Sequence, residues 1–109
     1  MIVVVFEVTM NEGRAPEYFD LAALLRPELE KIDGFVSVER FESMKTKGKY
    51  LSLSTWRDEA AVKAWREQAK HRIAQERGKG GIFADFRIRV TQVLRDYTMA
   101  DRVDNASSS

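Results

Sequence analysis

Residues 50–65, "YLSLSTWRDEAAVKAW", carry the reading that decides the fold. From 50 to 56 the side chains alternate. Leu51, Leu53 and Thr55 oppose Tyr50, Ser52, Ser54 and Trp56, the two-residue period of a β-strand. At Asp58 the period changes. An aspartate there can cap a helix by accepting hydrogen bonds from the free N–H groups of its first turn. Val62, Trp65, Ala69 and Ile73 then recur at helical spacing through "EAAVKAWREQAKHRIAQER", residues 59–77. Gly78, Gly80 and Gly81 stop that helix.

The rest follows outward from this strand–helix junction. Upstream, "KTKGK" (45–49) reads as a hairpin loop, preceded by a strand, "FVSVERFESM" (35–44). Simple alternation puts Val36 and Val38 on one face and Phe35, Ser37, Glu39 and Phe41 on the other. Residues 11–32 read as a first helix. Pro16 suits its first turn, and Tyr18, Leu21, Leu24, Leu25 and Leu29 form its apolar stripe. Pro27 predicts a kink or break there. "IVVVFEVTM" (2–10) is a β-branched strand whose apolar start predicts cover on both faces. "IFADFRIRVTQVLRDYTM" (82–99) is the last strand, with Phe86, Ile88, Val90 and Leu94 opposing Asp85, Arg87, Arg89 and Thr91.

The order strand, helix, two strands, helix, strand predicts an α+β, ferredoxin-like βαββαβ domain. Two helices cover one face of a four-stranded antiparallel sheet. The domain spans residues 1–99, and 100–109 is expected as a disordered polar tail. The helix-free face carries aromatic residues among polar ones, so a homodimer with sheets packed face to face is the economical way to cover it.

Composition narrows the function. At 109 residues, 44% hydrophobic and 32% charged, the chain is one globular domain. A net charge of +1, without a recognition motif, argues against nucleic acid. The absence of cysteine removes disulfides, thiolate nucleophiles and Cys-ligated zinc or iron–sulfur sites. "MIVVVF" is too short to span a bilayer and lacks a signal peptide's basic start, so the expected location is cytoplasmic with no membrane partner. "ERGKGG" (76–81) is not a phosphate loop, because it follows a helix and lacks the Lys-Ser/Thr ending.

The stretches "GFVSVERFES", "YLSLSTWRDEAAVKAW", "HRIAQERGKGGIFADFRIRV" and "VLRDYTM" resemble the antibiotic biosynthesis monooxygenase family of the dimeric α+β barrel superfamily, over residues 2 to about 98. The resemblance implies a cofactor-independent monooxygenase, without metal or flavin. Its members oxidise a small aromatic, phenolic or quinol-like compound with O2, since a deprotonated electron-rich ring can itself give an electron to dioxygen. The alternative is a non-catalytic dimeric barrel that binds a small ligand. Haem-degrading relatives hold haem through a helix histidine, a strand-one asparagine and a helix tryptophan. Here Glu7 stands at the asparagine position, His71 falls a turn too early and Gln75 is nearest the ligand position, so only Trp65 matches.

His71, the one histidine, is the candidate catalytic residue, an acid or base at a cavity edge, since its ordinary pKa of about 6.5 allows proton exchange near neutrality. The plain alternative is a partly exposed helix histidine paired with an acid. Candidate substrate-binding residues are Trp65, Trp56, Tyr50, Phe83, Gln75 and Arg87. Trp65 also fits a core position, Trp56 a dimer-interface aromatic, and Arg87 an ion network with Arg89 and Asp85. On alternation alone Phe83 and Phe86 lie on opposite faces, so only one can line a given cavity. Arg40 fits a network on either face.

Overall fold

The computed structural model describes residues 1–75 and 81–104, and the side chains of 1–71 and 81–101. Its elements are β1 (Ile2–Met10), α1 (Ala15–Glu30), β2 (Phe35–Glu42), β3 (Lys49–Trp56), α2 (Glu59–Gln75), β4 (Phe83–Gln92) and α3 (Met99–Asp104). The sheet order is β2-β3-β1-β4, every neighbour antiparallel. This is the predicted βαββαβ topology with α1 and α2 on one face.

Register shows which side chains share a layer. Directly paired residues lie on the same face. Four rows therefore cross the helix side of the sheet. They are Phe35–Trp56–Ile2, Val38–Ser54–Val4–Val90, Arg40–Ser52–Phe6–Ile88 and Glu42–Tyr50–Val8–Phe86. The end rows are packed. Val8, Met10, Tyr18 and Ile82 form one buried cluster, and Leu29, Trp56, Ala61 and Val62 form another. The middle rows carry the small side chains Ser52 and Ser54 at the centre of β3, so the core is split into two packed ends with space between them.

Two irregularities break the expected alternation. A register shift falls between Thr9 and Met10, which pair with Asp85 and Phe83, so Ala84 is an extra residue on β4. Phe83 and Phe86 consequently share the helix side, with ring centroids 6.4 Å apart, and the expectation that they oppose each other is corrected. A second shift between Phe35 and Ser37 turns Phe35 onto Trp56, at 5.4 Å, and leaves Val36 exposed. The expected pairing of faces on β2 is corrected in the same way.

Local chemistry accounts for the element ends. The Ala61 N–H donates to Asp58 Oδ1 at 2.9 Å, the expected cap of α2. Gly34 has φ +96°, and a Cβ there would stand 2.8 Å from the Cβ of Ala61. Pro27 lies inside α1, which continues to Glu30 without the predicted break; near the helix end the missing N–H removes only one ladder bond. Leu94 lies beyond β4 rather than on its apolar face. Residues 99–104, reaching into the expected tail, form α3. Thr98 and Asp101 cap it reciprocally: each backbone N–H donates to the other's side-chain oxygen, at 2.9 and 3.4 Å. Among the described residues no helix is long and apolar enough to cross a membrane.

Candidate active site

The space between the two packed ends is a cavity of about 720 Å³, within the usual size of small-molecule sites. Its floor is the two middle rows of the sheet. One wall is α1, through Tyr18, Leu21, Ala22 and Leu25; the other is α2, through Val62, Trp65, Arg66, Ala69 and Lys70. Phe83, Phe86 and Trp56 close its ends. Ser52, Ser54, Ala22 and Ala69 line the hollow, where larger side chains would fill the layer.

Trp56 is held firmly. It is 2% exposed, packs edge-on to Phe35, and its Nε1–H donates to Ser54 Oγ at 2.9 Å. Burial among Leu29, Val62 and Phe35 accounts for it as a cavity wall and not a dimer-interface aromatic. An aromatic cluster packs at the opposite end. Tyr18 packs on Phe83 at 5.9 Å and on Phe19 at 5.6 Å, and Phe19 packs on Tyr50 at 5.1 Å.

The cavity's polar groups are unevenly charged. Among the described residues Arg40, Arg66 and Lys70 line it, and no carboxylate does. Arg40 is half-buried, because its row places it under the helices. Its Nε–H donates to Tyr18 Oη at 3.3 Å, and its guanidinium stands 5.6 Å from the centre of that ring. Arg66 and Lys70 sit one turn apart on the exposed rim. Among the described residues no cluster of three His, Asp or Glu side chains could hold a metal.

The expected site residues divide. Trp65, Trp56 and Phe83 line the cavity together. Tyr50 lies behind the wall, packed on the Val8 cluster and Phe19. Arg87 pairs in register with Glu7 on the opposite sheet face, where it cannot reach the cavity. His71 is exposed and is not among the lining residues, because the α2 face that looks inward carries Trp65, Ala69 and Lys70. The side chain of Gln75 lies outside the described residues. Sequence reasoning missed Tyr18, Ser52 and Ser54, and left Arg40 unassigned. A usable signal was present: small residues at the centre of β3 and an arginine at an inward position of β2.

The other face carries Val5, Leu51, Leu53 and Phe41 around an ion network. Glu7 accepts from Arg89 at 2.7 Å and lies 3.7 Å from Lys49. The Arg89 hydrogen bond, helped by Lys49 and Arg87, holds its carboxyl below the ordinary value. Glu7 therefore points away from the cavity, while Phe6 beside it faces inward.

The sequence profile of the antibiotic biosynthesis monooxygenase family matches residues 1–77. The chain belongs to that family. It is 43% identical over 93 residues to the jasmonate monooxygenase ABM of Pyricularia oryzae, an alignment covering 85% of this chain and 43% of that protein. The chain thus spans less than half the length of that curated relative. Among solved structures it is similar to SnoaB, a cofactor-independent oxygenase from Streptomyces nogalater (TM-score 0.71, 14% identity, 87% of this chain and 94% of that one). It is also similar to MhuD carrying two manganese protoporphyrin IX per active site (TM-score 0.70, 19% identity, 90% and 99%). At these identities the structural likenesses establish the shared fold of the family.

Proposed function

We propose that this member of the family is a monooxygenase that oxidises a small, largely apolar molecule held between the sheet and its two helices. The carrying observation is the cavity of about 720 Å³, lined mainly by aliphatic and aromatic side chains, with Trp56 and Trp65 among its walls. Such a half-open, largely apolar space can orient a planar or cyclic substrate. The substrate class is the small aromatic, phenolic or quinol-like compounds, with jasmonates added on the strength of the named relative.

The electron balance differs between these substrates. An activated methylene between ring carbonyl or phenolic groups supplies all the electrons itself: one methylene and one O2 give one ketone and one water. Loss of a proton yields a carbanion or phenolate, which reduces O2; the resulting peroxide loses water to leave the ketone. The site's cations favour that anion, since an opposite charge nearby stabilises the ionised form. Arg40 and the Tyr18 hydroxyl are the groups positioned to bind the substrate oxygen. Hydroxylation of an unactivated C–H bond differs. There O2 delivers one oxygen atom to the substrate and the other leaves as water, which consumes two further electrons and two protons and so needs an added two-electron donor.

The test is oxygen uptake with hydroxynaphthalenes, anthrones, quinols and jasmonic acid, each with and without a two-electron donor such as NADPH, and with product mass. Uptake matched by a product heavier by one oxygen, or by one oxygen less two hydrogens, supports the reading. Tight binding without uptake across the panel assigns the chain instead to ligand binding. We also infer a homodimer through the helix-free face, supported by Val5, Leu51, Leu53 and Phe41 on that surface. Light scattering of the protein and of Leu53→Arg checks it: the wild type is expected at twice the 12.5 kDa chain mass and the variant at that mass.

A further inference from the structure

Several arginines outside the cavity form ion pairs with carboxylates of nearby side chains. Arg14 takes Glu17, Arg26 takes Glu30, Arg57 takes Asp33 and Asp58, and Arg89 takes Glu7. Arg40, turned inward, has among the described residues only the phenol of Tyr18. Acidic residues are not scarce in the chain, which has 17 of them against 18 lysines and arginines. On the same strand Glu39 sits on the other face, and Glu42, two residues along on the same face, lies outside ion-pair distance.

We propose that Arg40 is the anchor for a carboxylate on an otherwise apolar substrate, so that the cavity selects apolar monoanions over their neutral counterparts. The proposal rests on the cavity being the substrate site, and it adds which end of the substrate is held and by what. A half-buried guanidinium without a counter-charge is an unfavourable element of an apolar pocket, and a ligand carboxylate relieves that. The geometry suits the task. Tyr18 engages Nε, which leaves both Nη groups for a fork of parallel hydrogen bonds to two carboxylate oxygens.

The row that holds Arg40 continues through Ser52 and Phe6 to Ile88. β2 and β4 are three strand spacings apart, about 14 Å. With the arginine side chain covering the first spacing, about 10 Å of apolar floor remains for the body of the ligand. Arg66 and Lys70 at the rim extend the same positive field to the entrance, where it attracts an anion before it docks. The substrate read from this arrangement is a compact apolar acid with its charge at one end.

Calorimetric titration of the whole chain tests it with two matched pairs, jasmonic acid against methyl jasmonate and 1-naphthylacetic acid against its methyl ester. At neutral pH at least one acid is expected to bind at least tenfold more tightly than its ester. Arg40→Gln is expected to weaken that acid about ten- to hundredfold, the range for a hydrogen-bonded charge, and its ester by a clearly smaller factor. Arg40→Lys, which keeps the charge and loses the fork, falls between. Equal affinity of acid and ester in the wild type overturns the proposal, as does no binding of either acid. Equal weakening of both by Arg40→Gln, the signature of lost packing, overturns it too. The wild-type comparison decides even if the variant does not fold. Acid-selective binding without oxygen uptake keeps the anchor and removes the monooxygenase reading; uptake with neutral phenols and no acid preference does the reverse.

Discussion

Ser54→Ala tests how the cavity wall is held. Ser54 is 9% exposed and Trp56 2%, and the indole N–H has Ser54 Oγ at 2.9 Å. Removing the hydroxyl leaves a buried donor without its acceptor, which costs about 1–3 kcal/mol. For a domain of this size roughly 4 °C accompanies each kcal/mol, so a fall in Tm of about 4–12 °C is expected. Trp56→Phe removes the donor as well as some volume, so its own loss mixes two effects. The double variant separates them. If the orphaned N–H is the cause, Ser54→Ala should cost about 0.5 kcal/mol or less once Trp56 is phenylalanine, a coupling of about 0.5 kcal/mol or more. Urea melts of the four proteins, followed by circular dichroism, give all the terms. Additivity within about 0.3 kcal/mol would refute the reasoning, because the indole would then have another acceptor and Ser54 would not be what orients the wall.

Gly34→Ala forces a side chain into φ +96° and against Ala61; a loss of about 1–3 kcal/mol is expected by thermal melt, partly recovered by Ala61→Gly. His71→Ala should leave both Tm and turnover near wild type, since the residue is exposed and outside the cavity wall; a tenfold fall in kcat would return it to the mechanism. Asp58 has its carboxyl held below the ordinary value by Arg57 first and then by the Ala61 N–H. A depressed folded pKa contributes stability that is present above the unfolded pKa, about 3.9, and is lost as pH falls through the folded value. The Tm advantage of wild type over Asp58→Asn should therefore shrink between neutral pH and pH below about 4, and a constant difference would contradict the assignment.

The topology was legible because each element kept one period over most of its length and the Asp58 cap marked the change from two to 3.6. The faces were less so. Alternation assigns faces correctly only while register holds, and one extra residue reverses every side chain beyond it. Ala84 did this to Phe83, and the irregularity near Phe35 did it to β2. Neither position carries a glycine or proline that would flag it. The site was less legible for a different reason. His71 and Arg87 drew attention by residue type, whereas the cavity is made by small residues and by Arg40, whose significance depends on what stands opposite across the layer. A single sequence does not state that opposition until the strand order β2-β3-β1-β4 is known.

The divided core has a thermodynamic corollary. The folded chain lacks filling between its two packed ends, and a molecule that enters there completes the interior as a keystone completes an arch. A ligand that binds only the folded state at a hundredfold excess over its Kd raises stability by about 2.7 kcal/mol, roughly a 10 °C rise in melting temperature for a domain of this size. Melting temperature is thus an occupancy gauge that needs no knowledge of the reaction. A metabolite library read by dye-based melting would rank keystones by fit alone, and compounds that raise Tm but give no product would separate tight inhibitors and cargo from substrates.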